Sequence, residues 1–510
     1  MKRLLLILLT PMLIMATSCS KDDSEPSTNE ETPTEKPTEE PKTPEDSKIA
    51  TGYNEQYRPQ IHFTPSRNWM NDPNGMVYDN GVYHLYYQYN PRGNDWGNMS
   101  WGHAESKDLI HWEEKPVALT RDALGDVFSG SAVIDKNNTA GFGAGALIAL
   151  YTSADGIQQQ SMAYSLDGGA TFERFSANPV IKNNDDNLRD PKVFWHEASQ
   201  KWIMALAKGW ARGVEFYSSK DLKTWSHLST FVTDLSGRPS LQWECPDLVE
   251  FDYNGGKKWV LIVSVNPGGP VLGSGTMYFV GDFDGTNFTA DNLDYPLWLD
   301  YGMDNYAGVT YSNTGDRKIL IGWMNNWQYA GAVPCNPWRS AMTLPRELSL
   351  SEYDGKPLLK NSVVGEIENI AGEWTKFDSE FDAGSAYQMR LTIDLDKNST
   401  VTLSNQKGEK YVVDINSNTR TLTARRTSAT GKSDFNGMFS VPSMSAPLNV
   451  VGEQVTLDFY VDQSSVELFS GEGSMSMTNL VFPEAIYNTL SVSGANYDAK
   501  VRKLERIWEN

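Results

Sequence analysis

The sequence is poor in cysteine, histidine and basic residues. Its 510 residues include 3 Cys and 6 His, and 65 Asp and Glu outnumber 44 Lys and Arg, which gives a formal net charge of −21 at pH 7. Nothing in so few cysteines resembles a disulfide framework. A disulfide between Cys245 and Cys335 is the alternative to our expectation, which is two free, largely buried thiols. The negative charge argues against nucleic acid or anionic lipid as the main partner and suits a neutral substrate.

Long hydrophobic runs are also missing, apart from one at the start of the chain. Met1, Lys2 and Arg3 precede "LLLILLTPMLIM", which is too short to span a bilayer as a stable helix. The run ends in "ATSC", which resembles the lipobox of bacterial lipoproteins. This resemblance predicts a signal peptide over residues 1–18 and Cys19 as the lipidated first residue of the mature protein. An ordinary secretory signal is the alternative, and it would leave Cys19 unexplained.

Residues 19–51 contain no sequence that could form a packed core. "SKDDSE" is followed by a stretch rich in Pro, Thr and Glu, which cannot bury apolar area and predicts a disordered acidic tether. Acids directly after the cysteine resemble the export tag of lipoproteins displayed on the outer face of some Gram-negative bacteria. We therefore expect an outer-membrane lipoprotein exposed on the cell surface, attached to the membrane through Cys19.

Helical periodicity of useful length is absent after residue 51, whereas strand-like repeats are present. "SKDLIHW" at 106–112 recurs as "SKDLKTW" at 219–225, with looser copies at 165–172 and 281–288. Five apolar runs recur at intervals of 55 to 63 residues: "YHLYYQY", "ALIALYTS", "KWIMALA", "KWVLIVSV" and "KILIGWM". Each is rich in β-branched or aromatic residues and bounded by turn signals. The pattern predicts five four-stranded units arranged radially, a β-propeller over residues 52–348.

Acidic residues precede these apolar runs in register with the repeat. The residues just before each hairpin are Asp72, Ser129, Asp190, Glu244 and Asp304, separated by 57, 61, 54 and 60 residues. Equivalent positions on the innermost strands of a propeller converge on its axis. We therefore expect several carboxyl groups to face one another at one mouth of the central channel.

Converging carboxylates on a protein suited to neutral substrates indicate glycoside hydrolysis, which needs an acid and a second carboxylate on either side of the bond. Arg189 is expected to keep Asp190 ionised. The apolar neighbours of Glu244 are expected to keep it protonated, and Asp72 should be an anion fit to attack. A metal site is the rival explanation for clustered acids, but no calcium-loop or His-rich pattern accompanies them. We expect neither a catalytic metal nor a cofactor.

The blocks "WMNDPNG", "RDP" and "EC", with "YHLYYQYNP", "WGHAESKDLIHW", "FSGSAV" and "IGWMNNW", resemble glycoside hydrolase family 32, the fructan hydrolases and invertases. The resemblance covers roughly residues 58–510. It implies an all-β protein, a five-bladed β-propeller followed by a β-sandwich, and a retaining mechanism at β-fructofuranosyl linkages. Asp72 matches the nucleophile, Glu244 the acid/base and Asp190 the transition-state stabiliser. The residues expected to bind substrate are Asn71, Gln88, Trp96, Phe128, Ser129, Arg189, Cys245, Trp323, Asp304 and Tyr306.

The C-terminal part has a different pattern. Residues 349–365 are interpreted as a linker, and residues 366–510 contain segments such as "YQMRLTIDL" that alternate apolar and polar residues. This alternation predicts a β-sandwich of half-buried antiparallel strands. No catalytic block lies here, so support of the propeller is a better interpretation than sugar binding.

The predicted function is therefore hydrolysis of fructan polysaccharides or fructo-oligosaccharides at the cell surface, with levan favoured over inulin and endo attack over exo attack. The preference for endo attack depends on the predicted location, since a surface enzyme should release oligosaccharides for import. An exo-acting β-fructosidase or invertase, a fructosyltransferase, an arabinan-cleaving enzyme and a non-catalytic fructan-binding lipoprotein are alternatives. Other surface glycan-binding and import proteins are candidate partners, and nucleic acid is not.

Overall fold

The computed structural model describes residues 52–183, 187–233, 242–377 and 379–508. The predicted signal peptide, Cys19 and tether lie outside the described residues. Within the described ranges, no helix is long and apolar enough to cross a membrane.

Five antiparallel sheets follow one another along the chain and form the blades of a β-propeller. The first blade contains β1 (Asn68–Asp79), β2 (Val82–Tyr89), β3 (Ser100–Ser106) and β4 (Glu113–Leu119). The second contains β5 (Asp126–Asp135), β6 (Ala146–Ala154), β7 (Gln158–Ser165) and β8 (Glu173–Arg174). The third contains β9 (Leu188–His196), β10 (Lys201–Lys208), β11 (Gly213–Ser219) and β12 (Ser226–Val232). The fourth contains β13 (Gln242–Tyr253), β14 (Gly256–Asn266), β15 (Gly275–Phe283), β16 (Phe288–Ala290) and β17 (Leu297–Trp298).

The fifth blade closes the ring and corrects one predicted boundary. It contains β18 (Tyr306–Thr310), β19 (Ile319–Met324), β21 (Ala341–Met342), β22 (Arg346–Tyr353) and β23 (Lys356–Val363), while β20 (Trp338–Arg339) pairs in parallel with β1 of the first blade. The interpretation of residues 349–365 as a linker is therefore wrong, because β22 and β23 form a hairpin that completes this sheet.

The five apolar runs of the sequence are the second strands of the five blades. β6 is buried along all but its last residue and β19 along its whole length. Both faces of each such strand pack against neighbouring blades, which explains near-continuous apolar sequence where a half-exposed strand would alternate. The repeated "SKDL" segments connect the third and fourth strands of the first and third blades. There, one carboxylate oxygen of Asp108 or Asp221 accepts hydrogen bonds from two backbone N–H groups.

The C-terminal part is a β-sandwich of two antiparallel sheets. One sheet has the strand order β24 (Thr375–Lys376), β34 (Tyr497–Lys503), β25 (Tyr387–Asp394), β30 (Gln454–Val461), β31 (Ser465–Ser470) and β32 (Met475–Leu480). The other has the order β29 (Val441–Pro447), β28 (Thr421–Arg426), β27 (Lys410–Asn416), β26 (Ser399–Ser404) and β33 (Thr489–Ser493). Helical structure in the described residues is limited to 3-10 turns at Glu197–Ser199, Gly209–Ala211, Ala330–Ala332, Gly365–Ile370, Ser428–Thr430 and Gly471–Gly473.

A buried network of charges joins the propeller to the sandwich. His62 lies with Nδ1 2.7 Å from Asp462 Oδ2 and Nε2 2.9 Å from Glu467 Oε1, and all three side chains are fully buried. Glu467 also accepts a hydrogen bond from Arg346, whose guanidinium lies 2.9 Å from Asp300. Burial lowers the pKa of His62, but the bonds to the two carboxylates outweigh it and raise that pKa to about 9. The imidazole is therefore a cation at neutral pH.

Candidate active site

The innermost strand of each blade is bulged at the level where the predicted site residues lie. Register shifts occur between Met70 and Pro73, Val127 and Gly130, Arg189 and Lys192, Glu244 and Asp247, and Tyr306 and Val309. A bulge adds one residue, bends the strand and redirects a side chain. Asp190, Cys245 and Ala307 have φ values of 61°, 48° and 54°, a strained conformation for residues other than glycine that is typical of functional sites.

These bulges bring two layers of side chains together around the propeller axis. In the lower layer, Ser129 Oγ donates to Asp72 Oδ2 at 2.7 Å. The backbone N–H of Cys245 donates to Asp190 Oδ2 at 3.0 Å, and the Cys245 thiol lies 3.6 Å from Asp72 and 3.7 Å from Asp190. Both thiols of the described chain, Cys245 and Cys335, are free and buried, as predicted.

The upper layer is centred on Glu244. Arg189 donates to Glu244 Oε1 through Nε at 3.2 Å and Nη2 at 3.0 Å, and the Tyr306 hydroxyl donates to Oε2. Asn71 donates to Asp72 Oδ1 at 3.1 Å. Glu244 is the last paired residue before the bulge of its strand, whereas Asp190 is the first residue inside its bulge and Asp72 is the second. The acids of the predicted series therefore do not occupy one equivalent strand position, although they reach the same site.

The prediction that Asp304 is the fifth member of the series at the axis is wrong. Asp304 is fully buried away from the cavity, where its carboxylate lies 2.6 Å from Arg426 of the sandwich and accepts the backbone N–H of Leu480. The equivalent position at the axis is occupied by Ala307, which follows Tyr306 as Cys245 follows Glu244. The carboxylate of Asp304 binds the sandwich, so it has no place in the predicted substrate site.

The two layers form the floor of a cavity of about 480 Å³. Nine predicted residues line it, namely Asn71, Asp72, Gln88, Trp96, Phe128, Ser129, Arg189, Asp190 and Glu244. Trp323 does not, because it is fully buried and donates its indole N–H to the backbone of Met70. Tyr306 and Cys245 lie behind the lining and contact the carboxylates.

Six further residues that the sequence did not predict also line the cavity, namely Gln158, Asn187, Trp210, Gln242, Asn266 and Trp327. Four of them, like Trp96, lie at or near the connection between the second and third strands of a blade. In an antiparallel blade the first strand begins, the second ends and the third begins at the same face. Loop position in the repeat was therefore the signal that could have identified Trp210 and Trp327.

Burial and mutual repulsion control the charges of the two lower carboxylates. Burial, with the nearby charge of Glu244, raises the pKa of Asp72 to about 6, although hydrogen bonds from Ser129, Asn71 and Cys245 oppose the shift. Asp72 is therefore largely an anion at neutral pH. Burial and the charges of Glu244 and Asp72 also raise the pKa of Asp190, outweighing Arg189. The expectation that Arg189 keeps Asp190 ionised is wrong, because burial outweighs the attraction of a guanidinium that lies 3.9 Å from Asp190 and 3.0 Å from Glu244.

Comparison with known proteins agrees with this architecture. Residues 62–362 match the glycosyl hydrolases family 32 N-terminal domain, and residues 358–509 match the C-terminal domain of that family. A levanase from Bacillus subtilis is 43% identical over 498 residues, which covers 91% of this chain and 72% of the levanase. An extracellular exo-inulinase from Aspergillus niger is 39% identical, covering 89% of this chain and 95% of that protein.

Solved structures show the same fold over nearly the whole described chain. The crystal structure of exo-inulinase from Aspergillus awamori superimposes with a TM-score of 0.83 at 37% identity and covers 89% of this chain and 100% of that one. Fructofuranosidase from Schwanniomyces occidentalis complexed with fructose gives a TM-score of 0.80 at 32% identity, covering 88% and 98%. With both domains matched in sequence and a relative that is 39% identical over 95% of its own length, the chain belongs to glycosyl hydrolase family 32.

Proposed function

We propose that the protein is a retaining hydrolase of β-fructofuranosyl linkages in fructans, with levan ahead of inulin as the polymer. The observation that carries the proposal is the convergence of Asp72, Asp190 and Glu244, from three blades, on one cavity. Relatives named levanase, exo-inulinase and invertase support fructosides as the substrate class. The levanase at 43% identity supports the preference for levan.

Each carboxylate has a proposed role that its surroundings support. Asp72, an anion fixed by Ser129 and Asn71, attacks the ketal carbon and forms a fructosyl ester. Glu244 donates a proton to the leaving oxygen and then activates water. Asp190 stabilises the oxocarbenium-like transition state through the fructosyl hydroxyls. Asp72 and Glu244 both line this cavity, and a retaining mechanism needs two carboxyl groups that flank one glycosidic bond.

The cavity favours attack at a chain end. Lining residues come from all five blades, including Trp96 of the first, Gln158 of the second, Trp210 of the third, Asn266 of the fourth and Trp327 of the fifth. A ring of lining residues from all five blades can hold a terminal unit at its centre, whereas endo attack needs the chain to pass through the site in both directions. The relatives named as exo-inulinases support the same mode. Endo attack, expected from surface location, is the alternative that this geometry disfavours.

Early products separate these proposals. Levan and inulin would be digested to about one per cent conversion and the products separated by chromatography, with levan viscosity followed in parallel. Fructose as the main early product supports exo attack. A steep fall in viscosity with short oligosaccharides would establish endo attack. No release from either polymer by wild type, or equal release by wild type and Asp72→Asn, would refute the hydrolase assignment.

We further propose that Cys19 anchors the enzyme by its lipid to the outer membrane, facing outward. The lipobox-like "ATSC" and the acids after it support this location. Cys19→Ala should release the protein from the membrane fraction, or block its maturation, while the rate of the purified enzyme stays unchanged. Protease added to intact cells should digest the wild-type protein; if the protein resists protease until the cells are lysed, it does not face outward.

A further inference from the structure

Two histidines and a glutamate lie together in the first blade, outside the carboxylate cavity. His84 Nδ1 is 3.1 Å from His103 Nε2. Glu105 Oε1 lies 3.7 Å from the first nitrogen and 3.8 Å from the second. These three atoms, each able to donate a lone pair to a metal, therefore form a nearly equilateral triangle.

Strand register places the three side chains on one face of the blade. His84 of β2 pairs with Glu105 of β3, and Tyr86 pairs with His103. Side chains two residues apart on a strand share a face, and cross-strand neighbours on that face are within contact distance. The cluster is thus a product of sheet geometry and needs no mobile loop to form.

We propose that His84, His103 and Glu105 bind a divalent transition-metal ion, with Zn²⁺ as the best fit. Zinc bonds of about 2.0–2.1 Å in tetrahedral geometry place neighbouring ligand atoms roughly 3.3 Å apart, and the observed separations of 3.1–3.8 Å bracket that value. Two imidazole nitrogens with one carboxylate oxygen favour zinc over magnesium or calcium, which prefer oxygen ligands. Solvent supplies the fourth ligand.

The surroundings hold the ligands rigidly while leaving one side open. The His103 ring stacks on Tyr86 with ring centroids 4.3 Å apart, and the Tyr86 hydroxyl donates to the backbone oxygen of Gly169 at 2.8 Å. Both histidines are buried, whereas the Glu105 side chain is about a quarter exposed. An ion can therefore enter beside Glu105 without displacing a strand.

The neighbouring cation Lys115 should weaken metal binding by electrostatic repulsion, and this provides a direct test of the proposal. Lys115 Nζ lies 3.1 Å from the other oxygen of Glu105 and 2.9 Å from Glu113. With neutral imidazoles, one lysine and two glutamates, the cluster has a formal charge of −1. Removal of the lysine charge should therefore tighten binding of a divalent cation, an effect that a purely structural histidine pair would not produce.

The test uses the full-length enzyme, purified without a histidine tag, stripped with chelator and desalted. Titration calorimetry with ZnCl₂ should show one ion per chain, and the thermal midpoint should rise with Zn²⁺ as binding to the folded state requires. Bound Co²⁺ should show the visible absorption of tetrahedral coordination. Glu105→Gln, a partly exposed and nearly isosteric change, should weaken binding at least about tenfold, equivalent to 1.4 kcal/mol, and Lys115→Met should tighten it.

His111→Gln is the matched control, because His111 forms an exposed pair with Asp108 on the same blade and should leave zinc affinity unchanged. Hydrolysis should proceed at the same rate with and without the ion, since the cluster is separate from the carboxylates. The proposal is overturned by absence of saturable binding in wild type, by unchanged affinity in Glu105→Gln, by weaker binding in Lys115→Met, or by equal losses in the His111 control.

Discussion

Arg189 donates two hydrogen bonds to Oε1 of Glu244, from Nε at 3.2 Å and from Nη2 at 3.0 Å. The same guanidinium donates to Asn187 Oδ1 at 2.9 Å, so its position is set by the loop that precedes β9. The Tyr306 hydroxyl holds the other oxygen of Glu244. The proposed acid/base is thus oriented from the third and fifth blades, while its own strand only supplies the backbone.

The first prediction follows from that orientation. Glu244→Gln keeps the size of the side chain and an oxygen for Arg189, so the thermal midpoint should stay close to wild type. Hydrolysis of levan should fall by about a hundredfold or more, the range for lost general acid catalysis. An aryl β-fructofuranoside with a good leaving group needs little protonation and should lose much less in its fructosyl-transfer step. Equal losses on both substrates would show that Glu244 is not the acid.

The second prediction concerns the acid limb of the pH–rate profile. As the proposed nucleophile, Asp72 must be ionised to attack, and its pKa is raised to about 6, so kcat/KM should fall as pH drops through about 6. Ser129 stabilises the anion by its hydrogen bond. Ser129→Ala should therefore move the acid limb to higher pH. Ser153→Ala, which removes a buried hydroxyl paired with Ser161 in the same blade, is the control. If the acid limb of Ser129→Ala stays at the same pH as in wild type, the limb does not report the ionisation of Asp72.

Much of the fold was predictable because one physical pattern repeats. Apolar second strands and polar turns recur with each blade, so five blades and the level of Asp72, Ser129 and Asp190 follow from spacing alone. The position of each acid relative to the bulge of its strand did not follow, because a bulge inserts a residue without any change in composition.

Contacts between distant parts of the chain were beyond the sequence pattern. Asp304 stands in a position that looks equivalent to the other acids, yet it pairs with Arg426, 122 residues away. Trp323 and Trp327 are four residues apart and equally aromatic, and only packing decides that the first is buried and the second lines the cavity. The clustering of His84, His103 and Glu105 likewise needs the exact pairing of β2 with β3.

The third prediction concerns stability in alkali. The pKa of His62 is raised from 6.5 to about 9 in the folded protein, so its contribution to stability is complete below pH 6.5 and is lost as pH rises through about 9. His62→Gln should be destabilised at pH 7 by roughly 3–5 kcal/mol, because Asp462 and Glu467 lose their buried cation. The difference in unfolding free energy between wild type and His62→Gln should be smaller at pH 10 than at pH 7. Urea unfolding of both proteins between pH 6 and 10 measures this difference. A difference that stays constant over this range would contradict the positive charge assigned to His62.

The fourth prediction concerns Trp210, whose side chain is 60% exposed although it lines the cavity. The 3-10 turn Gly209–Ala211 is fixed by a bond from the Gly209 N–H to the backbone oxygen of Asn187 at 3.2 Å. A large apolar ring exposed at the edge of a polar site is suited to stacking against a sugar unit beyond the one that reacts.

Trp210→Ala should therefore lower kcat/KM on levan oligosaccharides about tenfold, equivalent to 1.4 kcal/mol, chiefly through KM. Activity on an aryl β-fructofuranoside, which has no second fructosyl unit, should stay within about twofold. Trp210→Phe should retain most of the activity on oligosaccharides, because a smaller ring still stacks. Leu166→Ala is the surface control, since Leu166 is 67% exposed at the turn between β7 and β8. A parallel loss on both substrates would place Trp210 in support of the catalytic centre instead, and no loss on either would leave it outside the path of the chain.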